Sequence, residues 1–161
     1  LGFISRVTRG FSDPQCLIRL YRSLVFPKLE YCSVVWNCIG NILASTIENV
    51  QRRFIRIYFD RYLGRQYFYE YNRILSHCNL ETLVARRKSR DIIFLCKCVH
   101  AIFDSQCLIE SISFHAPVRT FRQCRAFNVP RLSSLRPLAR VQRLYNNEIC
   151  DIDVFDCTVF Y

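Results

Sequence analysis

The 161-residue chain sets 23 Lys and Arg against 13 Asp and Glu, a formal charge of +10, with 51% apolar and 14% aromatic residues. That apolar content excludes a disordered chain of low hydrophobicity, and the length suffices for one core-bearing domain, or one domain plus a tail. Four glycines and five prolines are too few for a sandwich rich in tight turns. The expected fold class is mainly α: a helical bundle, then a long helix and a loop-rich C-terminal segment.

In chain order, Leu1 to Phe11 reads as the end of a helix stopped near Gly10. Ser12 or Asp13 caps the next helix, with Pro14 at its first position. Leu17, Leu20, Tyr21 and Leu24 recur at helical spacing, and Pro27 breaks the helix near Val25 and Phe26. The pattern resumes with Leu29, Cys32, Val35 and Trp36. Gly40 and Asn41 mark a turn. From there Leu43, Ile47, Val50, Phe54 and Ile57 form a helical seam, with Arg52, Arg53 and Arg56 beside or opposite it. Residues 60–78 form a connector in which Tyr62, Tyr67, Tyr69 and Tyr71 alternate with Arg61, Arg65 and Arg73. Asn79 is placed to cap a long helix from Leu80 to about Phe103, with Arg86, Arg87, Lys88 and Arg90 exposed in its first half. Ile92, Leu95, Val99 and Ile102 form its apolar stripe. From Ser111 to Pro137 the pattern is irregular and carries Arg119, Arg122 and Arg125. A short helix, Leu138 to Asn146, precedes the end. The chain thus divides into 1–59, 60–78 and 79–161.

Only Lys28, Lys88 and Lys97 are lysines, so twenty of the cations are arginines. The planar guanidinium suits bidentate phosphate contact and stacking, and arginines in clusters point to nucleic acid or another polyanion. A solvated basic surface accounts for the same composition. Two candidate phosphate-contact clusters stand out: Arg52, Arg53 and Arg56, then Arg86, Arg87, Lys88 and Arg90. Tyr67, Tyr69 and Tyr71 are candidates for base stacking, or for ordinary packing across helices. Residues 144–161 hold four acids and no Lys or Arg, which reads as a frayed acidic end or as a segment folded back on a basic body.

Ten cysteines occur without a secretory signal and without a C-x-x-C pair. Cys96 and Cys98 would point about 200° apart on a helix, so a structural zinc site is not expected. Cys16, Cys32 and Cys96 fall on apolar faces, and reduced intracellular thiols are the expectation. The longest apolar run, Ile92 to Phe103, is too short for the ~20 residues of a membrane span, so no membrane partner is expected. With no methionine and Leu1 first, the chain reads as a piece of a longer frame. Walker, zincin and serine-hydrolase motifs are absent. Apart from Asp151 and Asp153 the acids are scattered, so no catalytic residue and no metal ligand is assigned.

The opening LGFISR, the run LYRSLVFPKLEYCSVVW (Leu20 to Trp36) and IENVQRRFIR (Ile47 to Arg56) together resemble the C-terminal part of reverse transcriptases of jockey-type non-LTR, LINE-like retrotransposons. LETLVARRK (Leu80 to Lys88), LYNN from Leu144 and DIDVF from Asp151 resemble that family in the same order. The likeness is closest over 1–58 and 79–90 and thin over 60–78 and 104–143. It implies that 1–59 is thumb-like and that the chain follows a polymerase palm, gripping RNA, DNA or an RNA–DNA hybrid behind the active site. The parent protein would carry an endonuclease, paired catalytic aspartates with Mg, and a nuclear location. Here Asp60 stands alone in YFDR, so by this resemblance the chain is not a polymerase by itself and needs no cofactor of its own. The zinc knuckle of some relatives has no matching ligand spacing. Two other readings stand beside this one. The chain could be a helical interaction module that packs on the missing polymerase domain or another protein through Phe11, Phe26 and Trp36, or it could be a decayed element remnant.

Overall fold

A computed structural model describes residues 1–64, 68–115, 125–129, 136–148 and 154–155. The chain is mainly helical: α1 (Gly2–Val7) with a 3-10 turn (Thr8–Gly10), α2 (Pro14–Leu24), α3 (Phe26–Glu30), α4 (Ser33–Trp36), α5 (Asn41–Tyr58) with a π turn (Phe59–Leu63), α6 (Tyr71–His77), α7 (Leu83–Val99), α8 (Gln106–Glu110) and α9 (Pro137–Glu148). Among the described residues the one extended pairing is an isolated antiparallel bridge between Phe114 and Phe127. No helix among them is long and apolar enough to cross a membrane.

The backbone forms two compact units, Leu1–Cys32 with Ile39–Arg86, and Ser33–Cys38 with Arg87–Tyr161. These boundaries differ from the three segments expected. The stretch 60–78, expected as a connector, places Ile74, Leu75 and Cys78 in the core of the first unit. The second division falls inside α7, between Arg86 and Arg87.

The first unit packs α2, α5 and α6 around Leu17, Ile18, Tyr21, Phe54, Ile55, Tyr58, Ile74 and Leu75. Asp13 starts α2 as its sequence position suggests, with a side-chain oxygen accepting from the Gln15 N–H at 2.8 Å. Pro27 opens α3 and separates it from α2. At the centre the Tyr21 ring stacks on Phe54, centroids 3.9 Å apart, and meets Phe26 edge-on at 4.8 Å. The buried stripe of α5 is rotated from the apolar seam expected. Phe54 belongs to both, and Ile47 and Ile57 pack half-buried against the core, but Leu43 is exposed and the most buried positions are Glu48, Gln51, Phe54, Ile55 and Tyr58. The cause is polar pairing. Gln51 Nε2 donates to the Glu81 carbonyl at 2.8 Å and Tyr21 donates to Gln51 Oε1 at 3.2 Å. Glu48 Oε2 accepts the Leu83 N–H at 3.0 Å at the start of α7.

Asn79 has a different role from the one expected. With φ 50° it ends α6, its N–H donating to the Ser76 carbonyl at 2.9 Å and the Leu80 N–H to Leu75 at 3.0 Å. Thr82 opens α7 instead, its Oγ1 accepting from the Ala85 N–H at 3.2 Å. The cysteines also divide. Cys32 is exposed, contrary to expectation, whereas burial pushes the thiols of Cys78 and Cys96 up to about 11.

The second unit gathers Ile92, Leu95, Cys96, Cys98, Ile112, Phe127, Val141, Tyr145 and Val154. Ile102, expected on the apolar stripe, lies past the end of α7 and is exposed. Asp91 on α7 is fully buried and accepts from the guanidinium of Arg140 on α9 and from Asn37 Nδ2 at 2.8 Å. Arg140 also donates to the Val34 carbonyl at 2.7 Å, joining the short α4 to α9.

The end of α7 repeats the turn that ends α6, with Ala101 at φ 52° in the left-handed region. That conformation costs an L residue roughly 1–2 kcal/mol, and glycine escapes it at the expense of extra unfolded-chain entropy. Ala101→Gly is therefore expected to stabilise the chain by about 0.5–1 kcal/mol, raising the thermal midpoint by about 1–3 °C. An unchanged or lower midpoint in a calorimetric scan contradicts the assigned turn.

Candidate nucleic-acid interface

The first arginine cluster lies on the outer side of α5. Arg53 sits opposite the buried stripe, while Arg52 and Arg56, one turn apart, flank it; all three are exposed. The residues after the π turn bring two tyrosines against them. The Arg52 guanidinium lies 5.4 Å from the Tyr71 ring centroid and that of Arg56 lies 5.5 Å from the Tyr69 ring. A guanidinium parked on an aromatic face keeps its charge while losing rotamer freedom.

Each tyrosine is itself fixed. Tyr69 meets Phe59 edge-on at 5.3 Å. The Tyr71 hydroxyl donates to Glu48 Oε1 at 2.5 Å and accepts from Gln51 Nε2 at 3.3 Å. Burial first, and the Glu48 carboxylate second, push its phenol far above the ordinary tyrosine range, so it stays a donor at any working pH. Both rings are half-buried under arginines, so packing, not open base stacking, describes them. Tyr67 lies outside the described residues.

The second expected cluster does not form one basic face. Arg86 binds the buried Glu30 carboxylate, with Nη2 3.1 Å from Oε2, and its guanidinium lies 4.4 Å from the Phe26 ring. Arg87 is a correction to the sequence reading: it is only 2% exposed and donates from Nε to Asn37 Oδ1 at 3.0 Å, near the Trp36 ring. Lys88 Nζ lies 2.7 Å from both carboxylate oxygens of Glu148. Arg90 is exposed. The partners lie 50 to 60 residues away in sequence, which is why spacing along α7 alone did not reveal them.

Other arginines are structural too. Arg61 donates to Thr8 Oγ1 at 2.9 Å and to Ser5 Oγ at 2.7 Å, and Arg22 donates to the Asn79 carbonyl at 2.6 Å. Within the first unit twelve cations face six acids, a balance of +6. Two of those acids are buried, Glu30 paired with Arg86 and Glu48 among backbone and hydroxyl donors. Among the described residues no group of His, Cys, Asp and Glu is arranged to hold a metal ion.

No protein-family model, no curated protein and no solved structure matches the chain.

Arg86→Ala removes the partner of a buried carboxylate and is expected to cost about 2–4 kcal/mol, whereas Arg53→Ala should fall within about 0.5 kcal/mol of the parent. Urea unfolding of both variants measures the difference. Equal costs contradict this division of the cations.

Proposed function

We propose that this chain binds nucleic acid nonspecifically through Arg52, Arg53 and Arg56, as the thumb-like and post-polymerase segment of a non-LTR retrotransposon reverse transcriptase. The observation that carries the reading is the trio of exposed arginines on α5, two of them held over Tyr71 and Tyr69. Guanidiniums displayed this way can contact successive phosphates of a duplex and fix its position without reading bases. The sequence resemblance supplies the parent activity, RNA-directed DNA polymerase, and the template–primer hybrid as ligand. Mg and the paired aspartates would belong to the polymerase domain, not to these residues.

A second reading rests on a different observation. Phe3, Val7 and Phe11 are exposed near the start of the first unit, Phe3 by 66%, and Ile42 at the start of α5 is 82% exposed. Apolar side chains left in solvent suit a protein contact, and a polymerase domain of the same parent is the partner this reading names.

Fluorescence anisotropy of a labelled RNA–DNA hybrid across a salt series tests the first reading. The log of affinity should fall with log salt at about 0.9 per phosphate contact, and Arg52→Gln, Arg53→Gln, Arg56→Gln together should reduce that slope by about 3 at unchanged helicity. Salt-insensitive binding, or an unchanged slope in the triple variant, contradicts it. No hybrid binding by a folded chain that self-associates favours the second reading.

A further inference from the structure

Within the second unit, α4, α7, α8 and the start of α9 border a cavity of about 550 Å³. Val34 and Val35 from α4, Phe94 from α7, Leu108 from α8 and Leu138 from α9 give it a largely apolar wall. Polar contacts behind the wall hold it in place. Arg140 on α9 donates to the Val34 carbonyl at 2.7 Å and binds Asp91, which lies about one turn before Phe94 on α7. Ser113 and Asn128 close a further side, where the Asn128 N–H donates to the Ser113 carbonyl at 2.8 Å. Val35 is 63% exposed, so the cavity opens to solvent beside α4. Its volume falls within the roughly 300–1,000 Å³ in which proteins hold small molecules.

Gln142 supplies the observation that gives this cavity a ligand chemistry. It lies one turn beyond Leu138 on the same face of α9, lines the cavity and is only 3% exposed. Its amide nitrogen Nε2 is buried and, among the described residues, donates to no acceptor. Buried donors in native folds are almost always paired, because an unmet one forfeits its hydration without return. The terminal torsion of glutamine is broad, so a small turn of the amide brings Nε2 to an acceptor held in the cavity. A carbonyl oxygen satisfies such a donor, and an uncharged apolar body suits walls of valine, leucine and phenylalanine. Arg136, the charged member of the described lining, is exposed and keeps its charge in solvent.

We propose that this cavity binds an uncharged, apolar small molecule that carries a carbonyl, with the carbonyl oxygen accepting from Gln142 Nε2. The site is separate from the arginine face on α5 and does not depend on it. Nile red, an uncharged dye that brightens in apolar surroundings, reports occupancy on the whole chain. Two competitors then separate the hydrogen bond from apolar contact: 1-tetralone, a fused-ring ketone, and tetralin, the same rings without the carbonyl.

The expected result is saturable dye binding that both competitors reduce. It should be lost in Val35→Trp, which fills the mouth from an exposed position, and retained in Ile42→Ser, which alters the exposed apolar start of α5. Gln142→Leu nearly keeps the volume and removes the donor, and should lower the affinity for 1-tetralone relative to tetralin by at least about threefold. Dye binding lost in Ile42→Ser but kept in Val35→Trp places the dye on the first unit and overturns the proposal. So does the absence of saturable binding, or an unchanged ratio of the two competitors in folded Gln142→Leu. Should Gln142→Leu lose helicity, the unbranched Gln142→Met is the second variant, with the same fall in the ratio expected and an unchanged ratio contradicting the site.

Discussion

The Glu48 carboxylate is the interaction on which the first unit depends. It is 6% exposed, takes the Tyr71 hydroxyl on one oxygen and the Leu83 N–H on the other, and so ties α5 to α6 and to the first turn of α7. A buried charge is costly unless fully hydrogen-bonded, and the positive end of a helix is one of the few places where backbone can supply that compensation. Gln51, one turn along, extends the network to Tyr21 and the Glu81 carbonyl. The consequence reaches the surface. With Tyr71 pinned by its hydroxyl, its ring offers a fixed platform to Arg52, and the outer face of α5 inherits that order.

The second unit solves a similar problem with another acid. Asp91 is fully buried and satisfied by Arg140 and Asn37, while Asn37 Oδ1 accepts from Arg87. In both units a buried carboxylate fixes helices that the apolar core alone would leave free to slide, since apolar contact is not directional. Arginine serves this scaffold as much as it serves the surface. Arg22, Arg61, Arg86, Arg87 and Arg140 all hold backbone or side-chain partners inside the fold.

Local signals were the legible part. Asp13 with Pro14, the break at Pro27 and the turn at Gly40 each act within a few residues, and each has its structural counterpart. The helical class followed from periodicity and from the scarcity of glycine and proline. What was not legible depends on partners distant in sequence. The apolar seam of α5 misled because Glu48 and Gln51 are buried only by virtue of Tyr21, Tyr71 and α7. Arg86 and Arg87 looked like surface charges because Glu30 and Asn37 cannot be paired with them from spacing. Asn79 carries the residue type of a helix start, yet the same side chain tolerates the left-handed turn that ends α6.

The cations thus divide into those that hold partners inside the fold and the exposed Arg52, Arg53 and Arg56 on α5, for which we propose contact with a polyanion. Amide hydrogen exchange of the whole chain with and without a saturating RNA–DNA hybrid measures that assignment directly. Added protection centred on residues 49–60 and 69–73 is expected. Protection confined to the apolar start of the chain, or no change anywhere under conditions where the hybrid is bound, would contradict it.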